Sequence, residues 1–569
     1  MSADRRSGWL DASTVERPAD VASRLRTLTM FATVDADLLD DLAAASTWLR
    51  VPAGTRLFSV GDAPDGMYGL VEGQVRFFTE HDGHAVLTAQ AERGITFGEG
   101  SLLIGGGRSR TAVVTKDAEL VRIDPEHFLQ LMGRSPAVAT SVAGSVAARF
   151  AHRSDSAPDR PPASVTVDVE PADRVSGAFV ERLRDMAGDL PLVEAHGRAG
   201  ADIERQSDLV LIVRRAGTPC GLDAVRQWYA AVDPLAAPPI ELVLVHPASS
   251  PMPIGTLAWL RAFPFSDHHH ARAGHDADVE RVLRSVCGRA IALVLGGGGA
   301  RGMAHVGVLR ALAERGIAVD RFGGSSIGAI IGGQAATGMS WREILDVSRR
   351  VWTRRALRLD VTIPTVSVSS GRRVRRTIEG LFGDMTIEDM WRPFFCTTVN
   401  LSRFRLEVHR RGPAATWIRA SASAPGLWPP VIDASGELHV DGGQLNNVPT
   451  DLMRLGHRGR IIAVDVCADQ RPMRVASGSS PPIGIRHVLR RRSRDRFPSL
   501  VDTINRCALL GSLQHRAQAA EEADMYLTPD LGSISFGAFG RMEEAVEIGY
   551  HATIEGLRGQ GTSGVGSVR

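Results

Sequence analysis

The chain has 569 residues and weighs 61.1 kDa, enough for three or four domains at roughly 150 residues each. Hydrophobic residues make up 44% and charged residues 23%, a globular composition that excludes a disordered chain, a collagen-like fibre and a small disulfide scaffold. The 66 basic and 64 acidic residues nearly cancel, to +2, so global charge argues for no partner, nucleic acid included.

The N-terminal stretch, residues 1–25, is polar, carries no apolar signal core and is expected to be flexible. No run of about 18 apolar residues occurs anywhere, so no membrane span is predicted. Five cysteines are scattered without a C-x-x-C clip, which predicts neither a metal site nor a disulfide framework. The expected compartment is the cytoplasm.

Residues 26–152 open with a short helix, ADLLDDLAAAS. Many short strands punctuated by glycine follow, such as GMYGLVEGQVRFF and TAVVT, and a helical stretch from Pro125 closes the region. That spacing predicts a small β-barrel or sandwich. A Pro- and Ser-rich segment at 153–164 reads as a linker. From 165 to 289 buried strands (VTVDV, DLVLIV, IELVLVH) alternate with helices, which predicts an α/β unit with a parallel sheet. No phosphate-binding G-x-x-x-x-G-K-[ST] loop accompanies it. His268, His269, His270 and His275 have no recognisable ligand spacing and are expected in a surface loop.

The α/β alternation continues over 290–557, where the chemistry lies; residues 558–569 read as a disordered tail. The strand IALVL runs into GGGGARG and then a helix. Gly297, Gly299 and Gly302 fit G-x-G-x-x-G, and Asp320 follows where a ribose-binding acid would sit, so a dinucleotide oxidoreductase is one reading. Such a loop aims backbone N–H groups at an anion, either a pyrophosphate or an acyl-transfer oxyanion.

GGSSIGAIIGG decides for the second. Gly324, Ser326 and Gly328 make G-x-S-x-G between a strand and a helix, the setting of a nucleophile elbow; Ser325 is in the wrong register. A serine needs a base. His305, His409, His439 and His457 sit in no suggestive motif, whereas Asp441 ends a short strand in DGG, a turn that presents its carboxylate.

GGGGARG, GSSIG and DGG in this order resemble the patatin-like phospholipases. The resemblance implies a three-layer α/β/α hydrolase that cleaves acyl esters of phospholipids or lysophospholipids with a Ser–Asp dyad and no cofactor or metal. It implies Ser326 as nucleophile and Asp441 as its base. Gly297, Gly298, Gly299, Arg301 and Gly302 would form the oxyanion hole. RASASAPGLWPP and NNVP also look like blocks of that family. RQSDLVLIV, ELVLVH and GRAIALVLGGGGARGMAHVGVLRAL narrow the resemblance to the neuropathy-target-esterase branch, in which cyclic-nucleotide-binding domains precede the hydrolase. Relative to the animal members, one such domain and no membrane anchor are expected here.

FGEGSLL followed by RTAVV resembles a cyclic-nucleotide phosphate-binding cassette. It implies cyclic AMP or cyclic GMP as effector, held by Gly98, Glu99, Ser101, Arg110 and Thr111, with Arg108 as the alternative arginine. The alternative for the whole chain is a cyclic-nucleotide-responsive binding protein with a silent hydrolase. Arginine clusters at 372–373, 375–376 and 490–492 suggest peripheral docking on an anionic membrane, at the inner face of the cell membrane. Head group, chain length and oligomeric state have no signature in the sequence.

Overall fold

The computed structural model describes most of residues 13–142, 162–195, 207–231, 237–352, 362–467 and 500–559. Most of the polar lead-in, most of the expected linker, Arg490–Arg492 and the tail from 560 lie outside the described residues. The chain divides into two compact units. One comprises 1–215, 219–243 and 263–267; the other comprises 216–218, 244–262 and 268–569.

In the first unit, strands Met67–His81 and Thr111–Ile123 pair antiparallel at the centre of a seven-stranded sheet. Their ladder slips between Leu70 and Glu72 and again up to Val75; such bulges bend long strands so that a sheet can curl. Side chains alternate between faces along a strand. Leu120 therefore joins an inner cluster with Leu70, Val75, Phe77 and Phe97. Its neighbour Val121 joins an outer cluster with Leu25, Leu39, Trp48 and Phe128, supplied largely by the flanking helices. This is the jelly-roll expected of the N-terminal region; Ser13–Thr14 pairs with strand Ser46–Val51, and Val21 and Leu25 are buried, so part of the lead-in expected to be flexible up to residue 25 is built into it. Further along, the expected strands Val165–Val169 and Leu209–Arg215 pair in parallel, and Leu192–Ala195, which the sequence reading did not include, pairs in parallel on the other side of Val165–Val169.

The histidine run was misplaced by the sequence reading. Asp267–Arg272 is a strand, not a surface loop, and His269 and His270 are buried. Burial is tolerated at His270 because both ring nitrogens are engaged, one at 3.0 Å from His246 Nε2 and the other at 2.8 Å from the Glu388 carbonyl.

The second unit is built on an eight-stranded sheet. The elements that frame its site are, in chain order, β1 (Ala290–Leu295), α1 (Ala304–Glu314), β2 (Arg321–Gly324), α2 (Ile327–Ala336), α3 (Arg372–Phe382), β3 (Phe394–Asn400), β4 (Arg405–His409), β5 (Val431–Ile432), β6 (Leu438–Asp441), β7 (Gly459–Val464), β8 (Met525–Leu527) and α4 (Met542–Gly559). The sheet runs β5-β6-β3-β2-β1-β7-β8, with β4 pairing β3. β3, β2, β1, β7 and β8 are parallel; β4 and β6 run antiparallel to β3.

Two apolar cores cover its two faces. Leu293, Leu295, Ile462 and Val464 point to the core formed with α1, α2 and α4. Their neighbours Ala292, Val294, Ile461 and Ala463 point to the other, with Val448, Leu452 and Ala519. Period-2 alternation of apolar residues on both faces yields the three-layer α/β/α arrangement expected for residues 290–557. Among the described residues no helix is long and apolar enough to cross a membrane.

Candidate active site

β2 ends at Gly324 and α2 begins at Ile327, so the chain must reverse within two residues. Ser326 makes that reversal at φ +56, a backbone region unfavourable for a residue with a Cβ. The flanking glycines are required by space. A Cβ on Gly324 would lie 2.7 Å from the Leu295 carbonyl oxygen, and one on Gly328 only 2.0 Å from it. The Ser326 N–H donates to Ser421 Oγ at 3.0 Å, which ties the elbow to the RASASAPGLWPP block. Ser325 is buried and bonds Thr397 and the Asn446 carbonyl, so it belongs to the wall.

β6 delivers the second group. It pairs with β3, Asp441 opposite Thr398, and ends where the chain turns into Gly442. The Asp441 carboxylate accepts from the Gly443 N–H at 2.8 Å and from the Ser326 hydroxyl. Asp441 and Ser326 are only 6% and 7% exposed. Burial pushes the Asp441 carboxyl up to about 6, and the two hydrogen bonds offset part of that rise. Both residues line one cleft, shared with Gly297, Gly298, Pro425, Asn447 and Cys467.

The glycine loop faces this pair with its peptides fixed one by one. His305 Nε2 lies 2.8 Å from the Gly296 carbonyl, and the Gly297 N–H donates to Asn447 Oδ1 at 3.0 Å. The Gly297 carbonyl accepts from Asn447 Nδ2 at 3.3 Å and from the Cys467 thiol at 3.2 Å. In a trans peptide the next N–H points opposite to that carbonyl. The Gly298 N–H is thus turned away from Asn447 and has no acceptor among the described residues; nor has that of Gly299. The expected oxyanion set narrows accordingly. The Gly297 N–H is taken by Asn447 and the Arg301 N–H by the Gly298 carbonyl at 3.2 Å. The Arg301 guanidinium bonds the Ile534 carbonyl. Gly302 packs on Ile327, where a Cβ would meet Cγ2 at 2.2 Å.

No histidine is among the described residues lining the cleft. His305 is buried behind the loop, and burial holds it down at about 4. His409 stacks on Trp417 at 3.7 Å and is lowered to about 3, chiefly by burial. His439 shares Thr398 Oγ1 with His409, and His457 bonds the Arg460 carbonyl. Asp320 is not a ribose ligand, because Arg284 and the Ile291 N–H occupy its carboxylate at 2.7 and 3.0 Å. The dinucleotide reading loses its acid there.

Asn447, Ser421 and Cys467 were given no role from the sequence. NNVP and RASASAPGLWPP stood out as blocks, but nothing local says that an asparagine reaches a loop 150 residues away.

In the first unit, Glu99 opens helix Glu99–Ile104 and is buried. Arg108 is in the wall: its guanidinium bonds Asp65 at 2.6 Å and the Gly98 and Gly66 carbonyls, and lies 4.2 Å over the Phe58 ring. Those bonds consume its charge. Arg110 and Thr111 lie half-buried at the start of strand Thr111–Ile123, and Ser101 is half-buried in the helix. The Thr111 hydroxyl accepts from the Val60 N–H.

Residues 293–454 match the patatin-like phospholipase model, and residues 48–135 match the cyclic nucleotide-binding domain model. An uncharacterized NTE family protein of Mycobacterium tuberculosis is 30% identical over 96% of this chain and 97% of its own. Lysophospholipase NTE1 of Mycosarcoma maydis is 26% identical over 91% of this chain and 34% of its own. Neuropathy target esterase sws of Drosophila melanogaster is 33% identical over 61% of this chain and 27% of its own. The full-length match to the mycobacterial protein, together with the two domain models, places this chain in the NTE family, with a cyclic nucleotide-binding domain ahead of a patatin-like phospholipase domain.

Proposed function

We propose that the chain is a serine hydrolase cleaving acyl esters of phospholipids or lysophospholipids. The observation that carries this reading is the buried Ser326–Asp441 pair facing one cleft with the unclaimed Gly298 amide. Ser326 Oγ attacks the ester carbonyl while Asp441 takes its proton. A carboxyl near 6 is ionised at neutral pH and a better base than one at 3.8. The carbonyl electrons move onto oxygen, where the Gly298 and Gly299 N–H groups meet them; one such donor is worth roughly 10² to 10³ in rate. The tetrahedral intermediate expels the lysolipid or glycerophosphodiester oxygen, which leaves with the proton from Asp441. Water, deprotonated by Asp441, then attacks the acyl-Ser326 ester and frees the fatty acid.

The relatives named lysophospholipase support this substrate class. The N-terminal domain is read as a sensor for cyclic AMP or cyclic GMP, with Glu99 at the ribose and Arg110 at the cyclic phosphate. Incubation with a fluorophosphonate probe tests the hydrolase reading. Labelling is expected at Ser326 and absent in Ser326→Ala; labelling that survives in that variant overturns the assignment.

A further inference from the structure

The pocket end of the hydrolase sheet carries an apolar ledge that no described segment covers. β3 is level with β2 at Cys396 and Gly324, then continues four residues to Asn400, about 13 Å beyond the start of the elbow. The turn into β4 therefore projects past the level of Ser326. At that end Leu438 faces Ile432 across the β5–β6 ladder, and its carbonyl accepts the Leu401 N–H on the other side. Leu401, Leu438 and Ile432 form one cross-strand row, partly exposed, with Ile432 at 65%.

Phe404, in the turn itself, is 89% exposed and sits at φ +55. That conformation suits glycine or asparagine and strains a phenylalanine, so the site has a bulky ring where both solvent and backbone disfavour it. The hairpin's own arginines are neutralised, Arg403 by Glu437 and Arg405 by Glu407. α3 carries four arginines against a single acid, Glu379, which lies 3.7 Å from Arg375. Arg372, Arg373, Arg375 and Arg376 are exposed in its first five residues, and its first turn holds no acid. A helix N-terminus already carries positive partial charge, so cations there oppose folding. Gly371, which caps this helix, packs on Pro429, two residues ahead of β5. The start of α3 and the chain leading into β5 therefore adjoin. Pro425, in the same stretch of chain, lines the cleft.

We propose that this ledge is the docking surface for the face of an anionic phospholipid bilayer. Phe404 and Ile432 enter the acyl boundary, and the α3 arginines meet phosphate groups. A strained exposed aromatic and a cationic helix start fit that occupant on both counts, apolar below and anionic at the boundary. The proposal rests on the lipid-hydrolase reading, since it sets the cleft against the substrate's own surface.

The test is sedimentation of the full chain carrying Ser326→Ala with phosphatidylcholine vesicles, with and without phosphatidylglycerol. Turnover of a water-soluble short-chain ester by the Ser326-intact forms runs alongside. Phe404→Ser is expected to weaken partition about tenfold or more on phosphatidylglycerol vesicles. Paired Arg375→Glu and Arg376→Glu should erase the preference for phosphatidylglycerol, roughly fivefold per charge. Both variants should keep soluble-ester turnover, which also reports correct folding. Unchanged vesicle binding by both variants overturns the docking face. So does a chain that turns over the soluble ester but binds no vesicle, and that result leaves the hydrolase reading standing. Binding that both variants lose, in a chain inert toward every ester, supports the ledge and removes the hydrolase instead.

Discussion

Asn447 holds Gly297 at both ends of that residue, accepting from its N–H at 3.0 Å and donating to its carbonyl at 3.3 Å. The second contact sets the plane of the Gly297–Gly298 peptide, and so the aim of the Gly298 N–H. Asn447 is in this sense a positioning residue. Asn447→Asp keeps the acceptor for the Gly297 N–H but places an oxygen against the Gly297 carbonyl. On a soluble ester kcat should fall, by up to about 10², with KM nearly unchanged, as expected for a contact made only in the transition state. A boronic acid, whose tetrahedral adduct needs the same N–H groups, should lose affinity in parallel. A raised KM with kcat preserved would assign Asn447 to substrate binding instead.

The two arginines of the nucleotide cassette should separate cleanly. Arg108 satisfies Asp65 and two carbonyls from a buried position, so Arg108→Ala leaves several polar groups unpaired and should cost about 3 to 5 kcal/mol. Arg110→Ala should leave the melting temperature without ligand nearly unchanged and remove the upward shift given by cyclic AMP or cyclic GMP. Thermal melts of the full chain with and without nucleotide read both. A nucleotide shift that persists in Arg110→Ala would move the phosphate contact elsewhere.

With Asp441 as the proposed base, the acid limb of the rate profile should be its own. With its carboxyl near 6, kcat/KM should fall about tenfold per pH unit below that value and level off above it. A histidine base would give a limb in the same range, so substitutions must decide. Asp441→Asn should be as inactive as Ser326→Ala. His409→Gln, His439→Gln and His457→Gln should retain substantial activity, since none of the three lines the cleft. His305→Gln should lower kcat less than Asp441→Asn, because His305 holds only the Gly296 carbonyl. A folded histidine variant as dead as Asp441→Asn would replace the dyad with a triad.

The turns that carry Ser326 and Asp441 were legible in the sequence because tight turns impose local rules. Gly324 and Gly328 are small since the Leu295 carbonyl leaves no room. The order of strands and helices was legible for the same reason, through period-2 apolar alternation. What escaped was tertiary. Asn447 and Cys467 meet Gly297 only after the sheet brings β1, β6 and β7 together. The histidine run at 268–270 looked like a loop because burial of its imidazoles depends on His246 and Glu388, remote in the chain. The same limit applies to Arg108: its spacing fitted a phosphate ligand, and only Asp65 shows that its charge is already spent.

The cost of the proposed base to the fold gives the last prediction. A carboxyl raised from 3.8 to about 6 favours its proton in the folded state. Its contribution to stability is fully present below the unfolded value and is lost as pH rises through about 6. At neutral pH the folded chain therefore holds a charge that burial disfavours. A shift of about two units bounds the penalty at about 3 kcal/mol. Asp441→Asn removes the charge at nearly constant shape, and its Oδ1 can still accept from the Gly443 N–H. The inactive variant should melt higher than the wild type at about pH 7.5, with the gap closing toward pH 5 as the wild-type carboxyl takes up its proton. Calorimetry of both proteins across that range measures it. A variant that melts lower at about pH 7.5 would mean that the carboxylate is stabilised where it lies, and a stabilised carboxylate is too weak a base for Ser326.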